Sequence, residues 1–411
     1  LLFAKPKKAV GIDIGTHSIK AVQMSRFGGR LRLDAAGYAF VDRNQLNVDP
    51  IGTQANALRE AIRLFTPEQS LVVGALPGQT VVIRYPRLPE MPEDQIASAI
   101  EKEAGQHIPY DLSEVFLDWT LLDTVTEGNN KLFKVLLVAA KHEVIDTRVQ
   151  IAGAADVQYG MLTVDSLALA DAAESCDFLR VGETVALVNI GLSSSSIHFV
   201  RDGISSFIRD VNWGARELIQ AIARARRVDY EQAEKLLATI VDEESEKSES
   251  ETATVEDEEQ LPEIQVESSE SSARGASLLD PFEDELDSVS PPPKQKAGPI
   301  LGTDSGEKDL QEIIAAPLGR FVSEIRRSFD YYEHELYENA IDRLILSGGV
   351  AHISVLSEVL SDELGLKSVE VANPVESALM LGDARTCAPL IAHPAQFMVA
   401  VGLAARGMAE I

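Results

Sequence analysis

The residues best suited to chemistry sit close together near the start of the chain, in Gly11-Ile12-Asp13-Ile14-Gly15-Thr16-His17-Ser18-Ile19-Lys20. An apolar run leads into Asp13 and reads as a buried strand, at whose end a carboxylate can hold the water shell of Mg²⁺. Gly15 lets the backbone turn tightly, so successive amides can face a β- or γ-phosphate. Thr16 and Ser18 add hydroxyl donors. Lys20, two residues after Ser18 on the returning strand, points to the same side. An ordinary hairpin also favours Gly and Thr at its turn, so this segment alone does not decide the matter.

Two later segments answer it. Asn189-Ile190-Gly191-Leu192-Ser193-Ser194-Ser195 offers a second glycine turn, with the amide and hydroxyls of Gly191, Ser193, Ser194 and Ser195 as donors. Leu346-Ser347-Gly348-Gly349-Val350 places two glycines after an apolar strand, where a nucleotide can approach the backbone beside a helix N-terminus. A plain strand-to-helix turn explains Gly348 and Gly349 equally well if they stand alone. Other phosphate and metal motifs are missing: there is no G-x-x-x-x-G-K-[ST], no G-x-G-x-x-G after a strand and no H-E-x-x-H. His142-Glu143 opens a helix and reads as an exposed helix start rather than a catalytic pair.

The elements that must position these turns are legible from alternation and turn residues. Ala9–Ile14, Ser18–Ser25 and Leu31–Val41 form a strand meander with a turn at Phe27-Gly28-Gly29-Arg30. Val185–Ile190, Ser196–Val200 and Ile204–Asp210 repeat it, with Ile190-Gly191 matching Ile14-Gly15. A duplicated strand-turn-strand unit predicts two related lobes facing each other across a cleft. Between the meanders, residues 84–160 read as a small α/β insertion, with extended Arg84–Pro89, an amphipathic helix Glu93–His107, strands Val115–Leu122 and Leu132–Ala140, and a helix over 142–153. Farther on come a long helix Leu318–Tyr337, a strand Ile341–Leu346 and a helix to about 364.

Composition narrows the function classes. The chain has 411 residues, long enough for two lobes with separate cores, and its net charge of −28 disfavours nucleic acid or anionic lipid as a direct partner. Residues 242–309 read as a disordered acidic insertion, since its Ser, Pro and Glu runs bury too little apolar surface to fold. Leu278, Leu279, Phe282 and Leu286 within it also suit a docking motif. Cys176 and Cys387 make no disulfide framework and fit a reducing compartment. No apolar run has the roughly 18–20 residues that span a bilayer. The chain begins at Leu1 without an initiator Met, as a piece of a longer protein would.

Taken together, the Asp13–Lys20 segment, the serine turn and the Gly348-Gly349 turn resemble the two phosphate motifs and the adenosine motif of actin-like ATPases. Three passages are similar to the type IV pilus assembly family PilM in particular: Pro86-Arg87-Leu88-Pro89 with Met91-Pro92, Ile100–Pro109, and Glu324–Tyr332. The ending Gln396-Phe397 to Gly402-Leu403-Ala404 is similar to that family too. The resemblance implies an α/β, actin-like two-lobed fold of duplicated ribonuclease H-like domains. The first lobe would span 1–180, with the inserted FtsA/PilM-type subdomain at about 84–160. The second would span 181–385, interrupted by 242–309, and 386–411 would return to the first lobe. It implies ATP with Mg²⁺ between the lobes, bound by Asp13, Gly15, Thr16, Ser18 and Lys20 on one wall, by Gly191 and Ser193–Ser195 on the other, and by Gly348 and Gly349 at the adenosine. Asp165 falls where the superfamily keeps a residue that orients the attacking water; a helix N-cap explains it as well.

Two departures bear on catalysis. The superfamily normally has Asp where this chain has Asn189, and an amide cannot supply the carboxylate's charge. A passage that usually reads A-E-x-x-K appears here as Ala233-Glu234-Lys235-Leu236-Leu237, with Leu237 in the lysine's place. Both weaken the expectation of hydrolysis more than that of binding. The family further implies a cytoplasmic scaffold, peripheral at the inner membrane, that binds the cytoplasmic tail of a PilN-like membrane protein, with the edge near Arg84 and Arg87 as a groove, and that contacts other pilus platform proteins or itself. The alternatives are an active ATPase of the FtsA division type, whose terminal amphipathic helix the basic-poor ending Val399–Ile411 does not match, and a small-molecule kinase, for which only Asp165 offers a catalytic carboxylate.

Overall fold

A computed structural model describes residues 7–128, 130–240, 309–336 and 338–409. The acidic insertion expected at 242–309 lies, apart from Asp309, outside the described residues.

Two sheets dominate, and they are built to one plan. In the first, Arg30–Phe40, Ser18–Phe27 and Lys8–Ile14 run antiparallel in that order, and Leu71–Leu76 and Met161–Val164 add in parallel beyond Lys8–Ile14. Met380–Leu381 pairs with the outer edge of Arg30–Phe40. In the second, Ile204–Val211, Ser195–Arg201 and Thr184–Ile190 are antiparallel, followed by the parallel strands Arg343–Gly348 and Val369–Val371. The shared order is third, second, first, fourth, fifth. This is the actin-like α/β duplication expected from the two meanders. In each case the central strand is covered on both faces, which is why Ala9-Val10-Gly11-Ile12 and Val185-Ala186-Leu187-Val188 read as continuous small or apolar runs.

Two helices lie between the sheets, Asp165–Ser175 and Met398–Met408. Apart from Arg406, the second is apolar on every face, as a deeply buried helix must be. Its Ala400, Val401 and Ala404 join Ala9, Val22 and Met24 of the first sheet to Val185, Leu187 and Ile345 of the second in one core. Arg406 clamps Asp171 with two charge-assisted hydrogen bonds of 2.6 and 3.0 Å, tying the two helices together.

The second lobe has its own core beneath the helices Ala215–Arg226, Leu310–Asp330 and Ser354–Leu364, with Trp213 stacked on Phe321 at 4.1 Å. The helix expected from Leu318 begins earlier, at Leu310. Pro317 is accommodated inside it, and its carbonyl accepts from Trp213 Nε1 at 3.1 Å. At the far end the helix widens over Tyr331–Glu335.

A smaller unit comprises the strands Val81–Arg84, Arg87–Pro89, Val115–Glu127 and Asn130–Lys141 with the helix Glu93–His107. Ile96, Ile100 and Ala104 pack on Val135 and Leu137 as its core. The next helix, His142–Ala154, sends Ile151 and Ala152 into the first-lobe core beside Leu58 and Ala61. By packing it joins the first-lobe core. Tyr85 of this unit meets Ser205 of the second lobe at 2.6 Å, and Lys134 pairs with Glu338 at 3.2 Å. Ser205 in turn bonds His198 Nε2, and His198 Nδ1 meets the Ser166 carbonyl, both at 2.8 Å. Burial pushes the His198 pKa down to about 4, so the ring is neutral and joins small unit, second sheet and connecting helix. No helix among the described residues is long and apolar enough to cross a membrane.

Candidate functional site

The first turn is built by register. Asp13 lies opposite Lys20 and Ile14 opposite Ile19, so the chain reverses over Gly15 to Ser18. Gly15 N–H closes the turn on the Ser18 carbonyl at 3.2 Å, and a Cβ at Gly15 would stand 2.8 Å from that oxygen. Lys20 Nζ lies 3.6 Å from Asp13 Oδ2 and 3.9 Å from the same Cβ position, so the ammonium sits over the turn. Thr16 is exposed, whereas Ser18 is buried with its hydroxyl against the Tyr38 phenol.

The second turn repeats this backbone. Gly191 N–H bonds the Ser194 carbonyl at 3.0 Å, and a Cβ would again stand 2.8 Å from it. The side chains differ. Asn189 faces Ser196, and its Oδ1 accepts from Ser347 Oγ at 3.2 Å. Ser193 Oγ accepts from Arg216 Nη2 at 2.7 Å. Ser195 is a strand residue whose hydroxyl donates to the Trp213 carbonyl at 2.8 Å, turned into the core. The glycine turn abuts this one. Gly348 adopts φ +101°, and a Cβ there would lie 2.2 Å from the Ile190 carbonyl oxygen, so its own packing already demands glycine. Gly349 donates to that same oxygen at 3.2 Å and faces open space.

Between the lobes stands a set of charged groups. Asp165 begins its helix rather than capping it from outside; its Oδ1 accepts from Gly78 N–H at 3.0 Å and from Ser166 N–H at 2.7 Å. Asp210 reaches Gly78 from the second lobe, its Oδ2 only 2.5 Å from where a Cβ would be. Desolvation, then the Asp210 charge, raises the Asp165 pKa to about 7, and desolvation raises Asp210 to about 6. Arg148, on the helix His142–Ala154, extends toward Asp13, Asp165 and Tyr159; burial lowers its pKa against the opposing pull of those groups.

A second cluster bridges the lobes at the rim. Glu234, on the helical stretch 230–240, pairs with His17 Nε2 at 3.1 Å and with Arg43. The Arg43 guanidinium lies over the Tyr230 ring at 4.4 Å. Leu237 is buried in the second-lobe core, and Lys235 points outward to Glu231 at 2.8 Å. The structure thus joins the first turn to the second lobe, and Ile190 joins the second turn to Gly348-Gly349.

Sequence reasoning missed Arg148, Asp210, Arg216 and the Arg43–Glu234 pair. Asp210 had a signal: Asn189, Ser196 and Asp210 occupy one row across three strands, so they face the same side. Arg148 had none, because only tertiary packing brings its helix to Asp13. Arg87, expected to edge a groove, pairs with Glu338 at 3.4 Å, and Arg84 donates to the Ile83 carbonyl.

Comparisons with known proteins bear on the fold and the family. The chain is similar to the PilM–PilN type IV pilus biogenesis complex at 22% identity, covering 98% of this chain and 99% of that one, with a TM-score of 0.68. More distant likenesses are the ethanolamine utilization protein EutJ from Carboxydothermus hydrogenoformans (15% identity, 98% and 90% covered, TM-score 0.48) and the cytoplasmic domain of EpsL, an inner-membrane component of the Vibrio cholerae type II secretion system (12%, 53% and 75%, TM-score 0.34). The model of the type IV pilus assembly protein PilM family matches residues 11–243 and 304–408, and the chain belongs to that family.

Proposed function

We propose that the chain is a nucleotide-responsive scaffold at the cytoplasmic face of a pilus inner-membrane platform. It binds ATP with Mg²⁺ between its lobes and holds the cytoplasmic tail of a PilN-like membrane protein. Family membership, with a likeness spanning almost all of the matched chain of the PilM–PilN complex structure, is the observation that carries the pilus reading. The nucleotide reading is supported by the first turn, where Thr16 and Lys20 supply donors beside the Asp13 carboxylate and Gly15 keeps the backbone bare of a side chain. The open side of Gly349 leaves room at the expected adenosine position. When bound, Mg²⁺ would neutralise phosphate charge. Asp13 would hold its water shell, Lys20 would face the phosphates, and Gly191 and Ser194 would line the opposite wall.

The second turn argues for slow hydrolysis. Asn189 spends its carbonyl oxygen on Ser347, Ser195 is turned into the core, and Leu237 is packed away from the cleft. One observation favours the alternative, an ATPase that cycles between conformations: Asp165 and Asp210 meet at Gly78 from opposite lobes, and one of them held near neutral pKa can accept a proton from water. Calorimetric titration with ATP and Mg²⁺, and with a synthetic PilN-like tail peptide, tests the scaffold. Both should bind, and turnover should be very slow. Turnover of about one per second or more, in the ordinary enzyme range, would overturn the scaffold reading, as would failure to bind any such tail.

A further inference from the structure

Arg148 is the one guanidinium that the helix His142–Ala154 sends toward Asp13 and Asp165. It lines a cavity of about 380 Å³ with Gln54, Pro77 and Thr80. Nη1 is fully buried and has no hydrogen-bond partner among the described residues. A buried, charged donor left unmatched is costly, and proteins rarely leave one so without a use. The nearby carboxylates do not absorb it. Asp13 is paired with Lys20, and Asp165 spends Oδ1 on two backbone amides. The group that fits is an anionic oxygen entering the cleft between Asp13 and Asp165, where the end of a phosphate chain anchored at the Gly15 turn would lie.

We propose that Arg148 donates Nη1 to a terminal phosphate oxygen of a bound nucleoside triphosphate and so distinguishes the triphosphate from the diphosphate. This rests on the nucleotide reading above. It adds a residue from outside all three glycine turns, carried by a helix that also borders the small α/β unit. A planar, permanently charged donor suits a phosphate oxygen better than an ammonium would at this depth.

The test is calorimetric titration of the full chain, wild type, Arg148→Gln and Arg148→Lys, with Mg²⁺ and either a non-hydrolysable ATP analogue or ADP. Wild type should bind both. Arg148→Gln should lose about tenfold to a hundredfold in affinity for the triphosphate analogue and stay within about twofold for ADP, with Arg148→Lys between. Equal changes for the two nucleotides, or none, would overturn the role of Arg148 while leaving nucleotide binding intact. Wild type that binds neither nucleotide would overturn the nucleotide reading and this inference with it. ADP binding reports that a variant is folded. Should Arg148→Gln not fold, Arg148→Lys decides alone, since it keeps the buried charge.

Discussion

The two glycine turns share a backbone and differ in charge. Each closes glycine N–H onto the carbonyl three residues later, at 3.2 Å for Gly15 and 3.0 Å for Gly191. The row of side chains behind each turn, read across three strands, is Asp13, Lys20, Tyr38 in the first lobe and Asn189, Ser196, Asp210 in the second. The first row puts an ion pair at the turn. The second puts neutral groups there and its carboxylate two strands away, about 10 Å at the usual strand spacing. Duplication has kept the scaffold while the charge has moved along the row. On the proposed nucleotide reading, phosphate would be held chiefly by the first lobe, and the second lobe's acid is aimed at Gly78 and Asp165.

The largest effect should come from neutralising the charged turn. Asp13→Asn removes the carboxylate that would hold the Mg²⁺ water shell, and charge-assisted bonds of this kind contribute about 1.5–3 kcal/mol. Mg²⁺-dependent ATP affinity should fall about a hundredfold. Asn189→Ala, at the matching place, should change it by less than about threefold, because the Asn189 amide is already bonded to Ser347. Titration calorimetry with and without Mg²⁺ measures both. Comparable losses for the two variants would break the asymmetry.

A smaller effect, equal in the two lobes, should come from the backbone. A methyl at Gly15 or Gly191 would stand 2.8 Å from a carbonyl oxygen in either turn. Overpacking of this sort costs roughly 1–3 kcal/mol. Gly15→Ala and Gly191→Ala should therefore lower the stability of the chain by similar amounts, read from urea denaturation midpoints. A large difference between them would mean that one turn can relax where the other cannot.

The duplication was legible because both meanders announce themselves by short apolar runs separated by glycine turns. The helix Glu93–His107 was legible by its stripe of Ile96, Ile100 and Ala104. Leu71–Leu76 was harder, since a brief apolar run fits a buried strand or a piece of buried helix alike. Within the site, the local turns could be read and the long-range charges could not. Arg148 is distant from Asp13 in sequence, and the two feel each other's charge only because Ile151 and Ala152 seat its helix in the first-lobe core. Glu234 was visible as part of a passage, but its pairing with His17 and Arg43 depends on how the lobes close. Asp210 was within reach of sequence reasoning: the third strand of the second meander was read to end on it, but its register opposite Ser196 was not drawn.

The smallest predicted effect tests where the second lobe's charge now sits. Asp210 is desolvated, and its folded pKa is raised to about 6 from an ordinary value near 3.8. A raised carboxyl pKa means that the native state favours the protonated form. The associated stability is full below the unfolded pKa and is lost as pH rises through the folded one. At pH 8 the ionised Asp210 is thus a burden on the fold. Asp210→Asn, neutral and similar in shape, should stabilise the chain at pH 8 by about 1–2 kcal/mol. The figure is kept below the full linkage value because Asp210 retains some contact with solvent. The gain should shrink through pH 6 and vanish near pH 4, where both proteins carry a neutral group. Removing the charge should also lower the Asp165 pKa, since Asp210 is one of the groups that raise it. Asn189→Asp should show the opposite pH trend, adding a carboxylate to a row that already holds one. If Asp210→Asn instead destabilises the chain at pH 8, Asp210 is held by a cationic partner, and the second lobe would be as well charged for phosphate chemistry as the first.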